Sequence, residues 1–86
     1  MEIIFTEHFE QAYEKLTSVE KQSVRKALAL LGGNLKHPSL LVKKMEGRKN
    51  VWEARSSKRL RMTFEMDGEL ITIRNVGEHD KVLKKP

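Results

Sequence analysis

Apolar residues recur along this chain with two different periods, and the change between them divides it. Glu2-Ile3-Ile4-Phe5 reads as a short strand. Thr6 then offers an N-cap, and Phe9, Ala12, Tyr13 and Leu16 fall on one face of a helix over about residues 7–16. Thr17-Ser18-Val19-Glu20 is a capping box, and Val24, Ala27, Leu28 and Leu31 form the buried stripe of a second helix ending at Gly32-Gly33. The link between the helices is so short that they must form an antiparallel hairpin. Beyond a loop around Pro38 the period becomes two. The pattern predicts strands over about 41–45, 51–56, 60–66 and 69–76, with Asp67-Gly68 as the turn of a hairpin.

The predicted order is therefore β-α-α-β-β-β-β. The expected class is α+β, an antiparallel sheet with a two-helix hairpin packed on one face. Alternation sorts the strands further. Trp52, Ala54, Met62, Phe64 and Met66 should face the helices, with Ile71 and Ile73. That leaves Glu53, Arg55, Arg61, Thr63 and Glu65 on the opposite, uncovered face, joined by Thr72 and Arg74. The strands end in Gly77-Glu78-His79-Asp80, which would set a histidine at the rim of the arginine-bearing sheet. The residues beyond it, 81–86, read as a frayed basic tail.

Length, composition and charge narrow the possibilities. Eighty-six residues make one small domain, 1–86, and the absence of cysteine rules out disulfides and thiolate metal sites. Three scattered histidines make a zinc site improbable, there is no glycine-rich phosphate loop, and no metal or other cofactor is expected. No apolar run approaches the roughly 18 residues of a membrane span, and the beginning of the chain is acidic, so a cytoplasmic protein is expected. The charge is lopsided. Residues 1–35 carry a net of −1, whereas residues 36–86 carry thirteen Lys or Arg against seven Asp or Glu. A basic excess confined to the strand-rich part favours a polyanionic partner.

These features together resemble the RelE/ParE superfamily of toxins from type II toxin–antitoxin modules. The resemblance spans the chain and rests on the element order and on His37-Pro38 before the second strand. It rests also on Val42-Lys43-Lys44-Met45-Glu46-Gly47, Val51-Trp52-Glu53-Ala54-Arg55, Leu60-Arg61-Met62-Thr63-Phe64 and Val76-Gly77-Glu78-His79-Asp80. It implies a ribosome-dependent mRNA endonuclease, held in check by an antitoxin with an acidic, amphipathic segment. Some members of the superfamily poison DNA gyrase instead. By resemblance, Arg61 matches the arginine that stabilises the scissile phosphate. His79 stands where relatives place a catalytic histidine or arginine, and Arg55 where they have a basic residue or histidine. The chain departs from the pattern twice: Glu53 replaces a lysine of some relatives, and Leu83 stands where many carry a base-stacking aromatic.

Metal-free RNA cleavage uses the 2′-hydroxyl as nucleophile. It needs a base for that proton, an acid for the leaving 5′-oxygen and cations around the phosphate. His79 suits either proton role, because imidazole ionises near neutral pH. Arg61 and Arg55 can grip phosphate oxygens, and Glu53 is the candidate base among them. Lys43, Lys44, Arg48, Lys58 and Arg59, with Arg74, would hold the RNA backbone by charge alone. Trp52 is expected in the core, and His37 in a structural role. Two other functions fit the residues less fully: a gyrase-binding toxin without nuclease activity, and a non-toxic RNA-binding module.

Overall fold

The computed structural model describes residues 1–86. Strand β1 (Glu2–Phe5) leads into helix α1 (Glu7–Glu14) and helix α2 (Ser18–Gly33). After a single 3-10 turn at Pro38–Leu40 come β2 (Lys43–Lys44), β3 (Trp52–Arg55), β4 (Leu60–Asp67) and β5 (Leu70–Glu78). A short helix α3 (His79–Lys84) follows. The five strands form one mixed sheet in the order β1-β5-β4-β3-β2. β2 to β5 are an antiparallel meander, and β1 joins β5 in parallel at the edge.

Both helix starts are fixed by their caps. The Thr6 hydroxyl accepts from the Phe9 amide. Thr17 and Glu20 exchange hydrogen bonds of 3.1 and 2.9 Å, satisfying amides that the first helical turn leaves without partners. Helix α2 ends at Gly33, as the sequence suggested, with Asn34 as its C-cap. Gly32 also serves packing, since a Cβ there would lie 3.3 Å from Ile3 Cδ1 on β1. The core between helices and sheet holds Phe9, Val24, Ala27 and Leu31 against Ala54, Met62, Phe64, Ile71, Ile73 and Val76. Phe64, Leu31, Met62, Ile71 and Ile73 are wholly or almost wholly excluded from water. The hydrophobic gain from burying these large side chains is the main force joining the helix pair to the sheet.

The second strand is much shorter than the period suggested. Pro38 starts a 3-10 turn, where the His37 imidazole accepts from the Ser39 amide. Leu41 then adopts a left-handed conformation with φ 47°, which breaks any strand through it. Asn50 is also left-handed, with φ 52°, a conformation asparagine tolerates. Its side chain donates to the Met66 carbonyl and accepts from the Trp52 indole, tying the β2–β3 turn to β4. Trp52 lies on the core face opposite Phe64.

Two differences bear directly on function. The register of β4 and β5 shifts between Thr63 and Phe64, leaving Arg74 as an extra residue in a β-bulge. Beyond it Asn75 pairs with Thr63 and Val76 with Met62, so the alternation inverts. Residues 81–86 are also not a frayed tail. Val82 is buried in α3 and packs over Gly77, the Asn75 amide donates to the Lys85 carbonyl, and Arg74 Nε donates to the Pro86 carbonyl at 3.2 Å. The arginine-bearing face of the sheet is therefore covered in part.

Leu41 is more than half exposed and its backbone is strained. Leu41→Gly should relieve roughly 1 kcal/mol of left-handed strain and raise the urea midpoint with an unchanged m-value.

Candidate active site

The tight turn between β3 and β4 brings two arginines face to face. Arg55 and Arg61 are direct cross-strand partners, as are Glu53 and Thr63 one step inward on the same face. Like charges directly opposite one another repel. Two things hold them there. The Ser57 carbonyl accepts from Arg55 Nε at 3.3 Å and from Arg61 Nη1 at 3.1 Å. Arg61 Nη1 also donates to the carbonyls of Lys58 and Leu60. Secondly, Glu53 Oε1 lies 3.6 Å from Arg61 Nε.

Glu53 is only 6% exposed, rare for a carboxylate without a partner cation. One carboxylate cannot neutralise two guanidinium groups, so the cluster keeps a net positive charge. Arg61 Nη2 and both Nη atoms of Arg55 have no protein partner, and these are the donors a phosphate oxygen would meet. Beneath them the Thr63 hydroxyl is fully buried without a hydrogen-bond partner, as is that of Ser56 in the turn. The pattern of alternation brings out Thr63, but nothing in the sequence marks its hydroxyl as unpaired.

His79 is the first residue of α3, two positions past Gly77, the β5 partner of Arg61. Its side chain is about half exposed, and Nδ1 lies 3.7 Å from Asp80 Oδ1, an ion pair only when the imidazole is protonated. The same helix carries Leu83, 42% exposed where the resemblance implied an aromatic ring. The side chain there is free to meet a ligand but offers no π surface.

The other basic residues disperse. Lys43 pairs with Glu53 and so shares the arginine face, whereas Lys44 pairs with Trp52 and points to the opposite side. Lys58 is exposed in the turn whose carbonyl holds Arg61. Arg59 is matched by Glu78 at 3.6 Å and Arg74 by Glu65. Arg48 stands apart from the β3–β4 cluster, beside Arg74 and the end of the chain. Of the ten basic, acidic and imidazole side chains singled out in the sequence, the sheet brings Glu53, Arg55 and Arg61 into one cluster, with Lys43 on the same face. No group of three or more His, Cys, Asp or Glu is placed to hold a metal ion.

This architecture is that of a known class of small proteins. No protein-family model matches the chain, and none of the curated proteins matches it in sequence. Solved structures match it closely in shape. The RelB-RelE antitoxin–toxin complex from Methanococcus jannaschii superposes with a TM-score of 0.75 at 19% identity, over 96% of this chain and 99% of that one. YafQ from E. coli strain BL21(DE3) gives 0.79 at 14% identity, over 94% and 96%. The YoeB/ParE toxin from Agrobacterium tumefaciens gives 0.76 at 12% identity, over 92% and 99%. The chain thus has the RelE/ParE toxin fold over nearly its whole length. At such identities the likeness is one of fold, and function must be argued from the residues.

Replacing Glu53 by Gln should move two properties in opposite directions. Removing the carboxylate raises the charge of the arginine cluster, so binding of single-stranded RNA should tighten several-fold at low salt in a fluorescence-anisotropy titration. Losing the buried ion pair should at the same time lower stability by about 1–3 kcal/mol in urea denaturation.

Proposed function

We propose that this protein is the toxin of a type II toxin–antitoxin pair and that it cleaves mRNA on the ribosome, so inhibiting translation. The observation that carries this reading is the arrangement of Glu53, Arg55 and Arg61 on one sheet face. A buried carboxylate lies beside two arginines whose outer donors are unpaired. The fold shared with toxins seen in antitoxin complexes supports the same reading.

In this mechanism the scissile phosphate sits against the free Nη donors of Arg61 and Arg55. They are already fixed by the Ser57 carbonyl, so little reorganisation is needed as charge builds on the phosphorus oxygens. Glu53 accepts the 2′-hydroxyl proton as that oxygen attacks phosphorus. His79, in its protonated form, gives a proton to the departing 5′-oxygen. The products are a 2′,3′-cyclic phosphate and a free 5′-hydroxyl, and no metal takes part. Lys43, Lys58 and Arg48 would contact backbone phosphates without reading bases. An antitoxin with an acidic, amphipathic segment would neutralise the basic face and cover the helix pair.

The exposed Leu83 favours one alternative. A toxin of this fold that binds a protein such as DNA gyrase would have use for an aliphatic contact there and none for a stacking ring.

Primer extension on mRNA from cells expressing the protein separates the two. New 5′ ends should appear with the wild type and vanish with Arg61→Ala, whose cleavage rate should fall about a hundredfold or more. Intact transcripts with induction of the DNA-damage response would support the alternative.

A further inference from the structure

The arginine cluster of β3 and β4 is not the only concentration of positive charge. A second one forms where four separate parts of the chain meet: the start of α1, the bulge of β5, the β2–β3 turn and the end of α3. Thr6, His8, Arg48, Arg74, Lys84 and Lys85 line an open cavity of about 450 Å³ there, closed on one side by Pro86. None of its lining side chains is a carboxylate. Glu65 answers the charge of Arg74, but Arg48, Lys84 and Lys85 have no ion-pair partner.

The cavity is built rather than accidental in its central residue. Arg74 is the extra residue of the bulge, and three contacts fix it. Its carbonyl accepts from the Thr6 hydroxyl at 3.0 Å, its Nε donates to the Pro86 carbonyl, and its Nη1 bonds Glu65. The bulge therefore does two jobs: it re-aims Arg74, and it ties residues 85 and 86 down so that Lys84 and Lys85 line the same opening as Arg48.

We propose that this cavity is a second RNA-backbone site, holding a phosphate of the same strand at a distance from the cleaved one; the choice of RNA rests on the function proposed above. Arg74 lies three residues along β5 from Gly77, the partner of Arg61, and one strand over. At about 3.3 Å per residue and 4.8 Å between strands, the two sites are roughly 11 Å apart, close enough for one RNA strand to span. An acidic protein segment fits less well. The cavity has no large apolar side chain to offer an amphipathic partner. Apolar surface lies elsewhere, in the groove formed by Leu35, Pro38, Leu41, Val42, Trp52 and Met66.

The site makes the RNA grip depend on residues far from the chemistry. Losing one phosphate contact to a single strand should reduce the slope of log K against log salt by about 0.7. The test uses the full chain and a fluorescein-labelled single-stranded RNA in anisotropy titrations over a range of salt. K84Q/K85Q should weaken binding about tenfold at low salt and flatten the slope by about 0.7, the loss of the one phosphate contact, and Arg48→Gln should flatten it by up to the same amount. Arg48→Lys should retain most of the binding, and Lys26→Gln, on the exposed side of α2, should match the wild type. In cleavage assays the cavity variants should raise KM and leave kcat within about twofold, because the cavity holds substrate away from the reacting atoms.

RNA binding by K84Q/K85Q and Arg48→Gln equal to that of Lys26→Gln would overturn the proposal. So would unchanged RNA binding combined with weakened binding of a glutamate-rich peptide, which would make the cavity a protein-docking site. A wild type that binds RNA through these lysines but never cleaves it would refute the nuclease reading and leave the cavity assignment standing.

Discussion

Arg55 and Arg61 are locked opposite each other by the β3–β4 ladder, and the rest of the site follows from how that repulsion is contained. Their Cα atoms are partners in an antiparallel pair, so neither side chain can leave the face without a slip of the strand register. Such a slip is forbidden by the other face. It would carry Met62 and Phe64 out of the core and into water. Hydrophobic packing against the helix pair therefore holds two like charges together. The Ser57 carbonyl and the Glu53 carboxylate keep the arrangement tolerable without cancelling it. The surplus positive charge is available to an anionic ligand.

The same logic extends along the sheet. At the bulge of β5 one extra residue puts Arg74 and Asn75 together on the arginine-bearing face and returns Val76 to the core. Both polar side chains then bond the end of the chain and hold α3 down. Through α3 the bulge also positions His79. A single backbone irregularity thus links His79, the basic cavity and the covered part of the sheet. It does so on a core that still obeys simple alternation in β3 and β4.

Much of this was legible in the sequence, and the failures have definite causes. Both helix starts were visible because capping is local chemistry. The shared face of Glu53, Arg55 and Arg61 followed from alternation in β3 and β4, where no bulge intervenes. The parallel placement of β1 leaves no mark in its four residues, since it is decided by the partner strand. Gly32 marks the end of α2 in the sequence, but its packing role is hidden there, since its missing Cβ makes room for Ile3, a residue far away in the chain. The bulge is invisible because Arg74-Asn75 fits either parity. Helix α3 does not stand out in the sequence because six residues with one buried side chain carry too weak a period. Its one sequence signal was Asp80 in the first turn with Lys81 and Lys84 in the last, the charge order that a helix dipole favours. Without α3 the basic cavity is hidden too, since Lys84 and Lys85 line one opening with Arg48 only when that helix is docked.

The proposed role of the Glu53–Arg55–Arg61 cluster is to cleave RNA by using the substrate's own 2′-hydroxyl. The most direct measurement is single-turnover cleavage on programmed ribosomes of two mRNAs, identical except for a 2′-O-methyl group at the cleaved nucleotide. The unmodified message should yield a fragment ending in a 2′,3′-cyclic phosphate, and the methylated one should stay intact at that position. Cleavage of both at similar rates would contradict it, because the nucleophile would then have to come from somewhere other than the RNA.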